Sequence, residues 1–160
     1  MAEIHSNREL RLEIPFLPPS ENRIRVHRRQ GGQVYSKEAK DFKTRFSDYM
    51  RENYFIDVTR FVDGHTEQSI YSVTMVFTME TLINKGWVKK KAKTLYKKVD
   101  VGNRRKLIED CLSTAFGEID DSLFFELHLR KEMGPEQGVE ILVERVSPET
   151  FGVPHVTRDE

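Results

Sequence analysis

DVGNRRKLIEDCLSTAFGEIDDSLFFELHL, residues 100–129, decides the architecture. Leu107, Ile108, Cys111, Leu112, Ala115 and Phe116 recur at the spacing of one helical face, which predicts a helix over 103–116. Gly117 follows as a C-terminal cap, since glycine can leave a helix through a left-handed backbone without steric cost. The period then changes. Leu123, Phe125, Leu127 and Leu129 alternate with other residues, the pattern of a half-buried strand.

Similar patterns flank this core. Upstream, Tyr71, Val73, Met75 and Phe77 alternate as a strand, and Val76 suggests partial cover on its other face. Leu10, Leu12, Ile14 and Phe16 form another, stopped by Pro18-Pro19, because proline donates nothing to a ladder. Ser20 to Gln33 is polar and basic and contains Gly31-Gly32, so it reads as a loop or an irregular hairpin. Ser36 is a candidate N-cap. Phe42, Phe46, Tyr49 and Met50 then build an apolar helix face through about Tyr54, and residues 57–67 carry turn signals. Downstream, Gly134-Pro135 and Gly138 mark a turn, and Val139, Ile141 and Val143 alternate as a final strand. The tail, 147–160, holds two prolines and little apolar periodicity and is expected to be loose. The last two strands read as an antiparallel pair. The expected class is therefore α+β, a mixed or antiparallel sheet of about four strands with two main helices.

The chain has 160 residues, enough for a single compact core. Charged residues make up 32% and hydrophobic ones 38%, which excludes a disordered polymer. No apolar run approaches the length of a membrane span, and the first residues show no secretory h-region. Cys111 is the sole cysteine, so there is no intramolecular disulfide and no cysteine-built zinc site. A cytoplasmic protein with no membrane partner is expected.

The 26 basic and 26 acidic side chains cancel, but only as a sum of opposed blocks. Residues 21–51 carry a net +5 and residues 82–106 a net +9, while 107–160 carry −9. A phosphate backbone responds to local potential, so overall neutrality does not exclude a nucleic-acid partner. The lysine run is either such a contact surface or a solvated loop. Trp87 and Tyr96 inside it either stack on bases or pack back on the core. His27, among arginines, either contacts phosphate or is an exposed bystander.

Carboxylates stand at both ends of the second helix: Asp100 before it, and Asp120-Asp121 after it. A helix of about fourteen residues spans about 20 Å. The two ends cooperate only if the flanking chain folds back along the helix, or if a second subunit supplies one of them. Hard oxygen ligands suit a divalent cation such as Mg²⁺, which polarises a phosphate and activates water. Asp100 and Asp121 with Lys106, beside the basic run, supply those groups. Equally, Asp120 or Asp121 caps backbone amides, and Lys106 pairs with Asp110 four residues on.

Two segments together resemble the RusA family of Holliday junction resolvases, small homodimeric endonucleases common in phages and prophages. One is Ile14-Pro15-Phe16-Leu17-Pro18-Pro19-Ser20-Glu21-Asn22-Arg23, followed by Tyr35-Ser36. The other is Asp100-Val101-Gly102-Asn103-Arg104-Arg105-Lys106, continuing to Asp120-Asp121. The family pattern there is D-x-D-N-x-x-K, a helix, and a D-D pair. The resemblance implies an endonuclease domain over 1–146, working as a homodimer on four-way or other branched DNA with Mg²⁺, or with Mn²⁺ as its substitute. It implies that Asp100 and Asp121 bind the metal, that Lys106 lies near the scissile phosphate, and that Asn103 is the motif asparagine. Asn22, Arg23, Arg25, Arg28, Arg29, Lys89, Lys90, Lys91, Lys93, Lys97, Lys98, Arg104 and Arg105 are then candidates to grip DNA.

Gly102 stands where the family has its second aspartate. Three readings follow. Asp120, Glu118 or Glu109 supplies the missing carboxylate as a metal ligand. Gly102 permits a backbone shape that the site needs. Or cleavage is impaired, leaving a branched-DNA binding protein of the same fold.

Overall fold

A computed structural model describes residues 7–20 and 23–158. Strand β1 (Glu9–Ile14) is followed by a short hairpin, β2 (Arg25–His27) and β3 (Gln33–Tyr35). Helix α1 (Lys37–Asp63) leads to β4 (Ile70–Met79), helix α2 (Gly102–Phe116), β5 (Phe124–Met133) and β6 (Gly138–Val146). The main sheet has the order β1-β6-β4-β5. β4 pairs parallel with β5 and antiparallel with β6, and β1 pairs antiparallel with β6. This is the expected α+β class with a mixed four-stranded sheet and two helices.

Both helices lie on one face of the sheet. Leu10, Leu12 and Ile14 of β1, Val73, Met75 and Phe77 of β4, and Val139, Ile141 and Val143 of β6 are all buried. They meet Ala39, Phe42, Phe46 and Met50 of α1 and Leu107, Ile108, Cys111 and Leu112 of α2. The opposite face is polar and acidic. Register places Glu9 against Glu144 and Glu13 against Glu140 there, so much of the acidic surplus sits away from the helices.

Three local expectations change. The last two strands run in opposite directions but do not pair with each other, because β4 lies between them. The first strand ends at Ile14, one residue before Pro15, although Phe16 stays buried. Helix α1 continues through the 57–63 turn signals to Asp63. Its end is pulled back to the core by Phe61, whose ring lies 5.6 Å from both Tyr71 and Phe116. Burying that ring outweighs the weak local preference of Asp57 and Thr59 for turns. Gly64 then caps the helix, and a Cβ there would come within 2.6 Å of the Arg145 guanidinium, which donates to the Phe61 carbonyl. Within the tail, Pro148–Phe151 form a turn, with Phe151 edge-on to Phe125 and the Val156 carbonyl accepting from Gln68.

Among the described residues, no helix is long and apolar enough to cross a membrane.

Candidate nuclease site

Helix α2 begins at Gly102, and the Asp100 carboxylate accepts a 2.7 Å hydrogen bond from the Gly102 amide. A carboxylate suits this place, since the first helical amides are unpaired and the helix dipole is positive there. Lys106, one turn on, projects from the same end. After Gly117 the chain reverses: its φ is +71°, and its amide closes on the Ser113 carbonyl. Ile119, fully buried, anchors the returning segment on the core.

That return carries Asp121 back along α2 until its carboxylate accepts from the Lys106 ammonium. The chain folding back on its own helix thus joins Asp121 to Lys106. Lys106 also lies 3.6 Å from Asp110, so the alternative pairing is present as well. Asp110 in turn accepts from the Tyr35 hydroxyl. Burial first, and then the neighbouring Asp121 charge, push the Asp110 carboxyl above its ordinary range, while Arg25 opposes this.

The hairpin β2–β3 overhangs this end of α2. Arg25, His27, Gln33 and Tyr35 face Asp100, Asn103, Arg105 and Lys106 across a cleft of about 770 Å³. The Ser36 side chain joins hairpin to helix: it accepts from the Ala39 amide as the N-cap of α1 and donates to the Arg23 carbonyl. Gly31 and Gly32 take positive φ angles of 89° and 84° at the hairpin turn, where Arg28 and Arg29 are exposed.

The remaining candidates are distributed as follows. Asp120 caps the turn over Asp121–Leu123 by accepting from the Ser122 amide, and hydrogen bonds from Ser122 hold its carboxyl below the usual range. Glu109 is buried and paired with Arg105. Glu118 is exposed beyond the helix. Arg23 lies 3.9 Å from Glu38. Arg104 and Arg105 are half-buried on α2. Lys89, Lys90, Lys91, Lys93 and Lys98 are exposed on the 82–98 connection, and Lys97 is half-buried at its base. Asn22 lies outside the described residues.

Sequence reasoning singled out neither Tyr35 nor Gln33 for the site, treated Asp110 only as a partner of Lys106, and left His27 as an alternative. Only the overhang of the hairpin brings them to α2. The adjoining Tyr35-Ser36 pair was the available signal.

Among the described residues, no group of three or more His, Cys, Asp or Glu side chains is disposed to hold a metal. Mg²⁺ does not require one, because it is commonly held by one or two carboxylates with waters and substrate phosphate oxygens completing its shell. The exposed Asp100 and the part-exposed Asp121 are compatible with such a donor set.

No curated protein matches the chain. The family model of the endodeoxyribonuclease RusA matches residues 15–144, from the proline that ends β1 almost to the end of β6. The match takes in the hairpin, α1, α2, the Asp100–Lys106 segment and the Asp120-Asp121 pair. The chain belongs to the RusA endodeoxyribonuclease family.

Proposed function

We propose that this nuclease resolves four-way DNA junctions with Mg²⁺, as a homodimer that nicks two opposed strands. The observation that carries this reading is the contact of Asp121 with Lys106, which together with Asp100 lines a cleft overhung by the basic hairpin.

Asp100 and Asp121 would hold the cation. When bound, Mg²⁺ supplies Lewis acidity to the scissile phosphate and lowers the cost of deprotonating water. Lys106, held between Asp110 and Asp121, steadies the negative charge that develops on the phosphate. Asn103 is exposed on the first turn of α2 and offers an amide to the substrate backbone. Arg25, with Arg28 and Arg29 at the hairpin turn, and the lysines of 82–98 neutralise phosphates along the arms.

A four-way junction is nearly two-fold symmetric, as is an isologous dimer. The edge strand β5 supports a dimer contact. Leu127, Leu129 and Met133 continue the core-facing side of β4 outward, yet Leu129 is 38% exposed and Met133 50%. Apolar side chains on an open sheet edge invite a second copy.

Gly102 favours a second reading, a branched-DNA binding protein with impaired cleavage. The deciding experiment is cleavage of a labelled four-way junction in Mg²⁺, Mn²⁺ or EDTA, with linear duplex as control. Paired nicks that need a divalent cation support the nuclease reading. Tight junction binding without nicks supports the second.

A further inference from the structure

Between β4 and α2, residues 81–99 carry seven lysines and no acidic side chain. The segment doubles back on itself. Ile83 and Tyr96 form an antiparallel bridge, with the Asn84 amide bonded to the Leu95 carbonyl at 2.7 Å and the Lys97 amide to the Leu82 carbonyl at 2.8 Å. Above this stem the chain turns tightly. The Trp87 amide bonds to the Asn84 carbonyl and the Lys91 amide to the Gly86 carbonyl, while Lys90 takes a φ of +55°. The base is tied down where Lys131 donates to the Val99 carbonyl, next to Asp100.

This turn presents apolar groups to solvent. Trp87 is 44% exposed and Val88 83%, and Tyr96 on the stem is 65% exposed. Of the two sequence alternatives, packing back on the core is thus not what these side chains do. An exposed indole with Lys85, Lys89, Lys90 and Lys91 near it in the chain suits a polyanion that also offers flat aromatic faces. Nucleic acid has both, and the chain belongs to a family of endodeoxyribonucleases, so DNA is the polyanion these groups meet.

We propose that this tip is a base-stacking wedge: Trp87, flanked by Val88, stacks on a base exposed at the branch point while the surrounding lysines hold phosphates. The inference rests on the junction-binding reading above and adds to it the group that separates branched from linear DNA. Extracting a paired base from a duplex is costly, whereas a base already loosened at a branch costs less, so a stacking wedge favours branched substrates.

Trp87 is the only tryptophan, so its emission reports on the tip alone. The experiment titrates the full-length protein in EDTA with a fluorophore-labelled four-way junction, linear duplex and heparin, following label anisotropy on DNA and Trp87 emission in all three. The expected result is strong quenching by the junction, weaker quenching by duplex and little by heparin. Trp87→Ala should bind the junction about ten-fold more weakly, as loss of one base–aromatic stack implies. Its salt dependence should be unchanged, since no charge is lost, whereas Lys90→Ala should reduce the slope of log affinity against log salt by about 0.9. Trp87→Phe should restore most of the affinity. Junction binding with unchanged Trp87 emission, or equal quenching by heparin, overturns the wedge alone. No preference for the junction over duplex overturns the junction-binding reading itself.

Discussion

The Lys106 ammonium is bonded to the Asp121 carboxylate, fifteen residues further along the chain. One comes from the first turns of α2 and the other from the segment returning past its end. Both belong to the motif that resembles the family's site, and their contact closes that motif in space.

Lys106→Ala and Asp121→Asn should each abolish most junction cleavage. Loss of one electrostatic stabiliser of a transition state lowers the rate about 100-fold or more. Junction affinity should change little for Asp121→Asn. Single-turnover cleavage and electrophoretic mobility shifts on the same preparations separate the two effects. Wild-type cleavage by Asp121→Asn would remove Asp121 from the site.

Gly102→Asp should increase cleavage. A Cβ at this position would lie 3.0 Å from the Asp100 carboxylate, so that carboxylate must give by a few tenths of an ångström. No positive φ stands in the way. The added carboxylate would stand at the family's second position. Rates in Mg²⁺ and Mn²⁺ for parent and variant measure the gain, and a slower variant would favour the reading in which glycine serves the local backbone.

Glu109→Gln should become more stable relative to the parent as pH rises. Burial first, opposed by Arg105 and Lys106, holds the Glu109 carboxyl above its ordinary value of 4.5 in the folded chain. The folded state therefore binds this proton more tightly than the unfolded state does. The parent's contribution from Glu109 is full below the unfolded value and is lost as pH rises through the raised folded one. The variant does not titrate there. The difference in Tm should therefore move in its favour across that window and then level off, which calorimetry at a series of pH values reads directly.

Cys111 should resist thiol reagents in the native protein. It is buried on the apolar face of α2, and burial pushes its thiol up to about 12. The reactive thiolate is then scarce at pH 8. Labelling should be slow in buffer and complete in denaturant. Rapid native labelling would show that α2 separates readily from the sheet.

Leu129→Asp should give a monomer if the open edge of β5 is the dimer contact. Leu129 is surface-exposed here, so the folded monomer should tolerate the change. Sedimentation velocity tests this. The cleavage product should also shift from paired to single nicks. An intact dimer would move the interface elsewhere.

Local patterns showed much of the fold. Alternation in Tyr71, Val73, Met75 and Phe77 marks a strand whose four side chains are fully buried. The helical stripe ending at Gly117 matches α2 within a residue. The end of α1 was hidden, because Asp57 and Thr59 favour turns locally while Phe61 is held by Tyr71 on β4 and Phe116 on α2. The place of β4 between β5 and β6 was hidden too, since it follows from which apolar faces meet under the helices.

By itself the sequence determined the elements, the family motif and the two basic blocks, because periodicity and spacing are properties of neighbouring residues. Tertiary structure decided which of the candidate groups meet. Tyr35 reaches Asp110 across 75 positions, and Asp121 reaches Lys106 only because the chain reverses at Gly117 and is pinned by Ile119. Those contacts depend on the hydrophobic burial that seats helices and hairpin together, a free energy spread over the whole core rather than written at any one position.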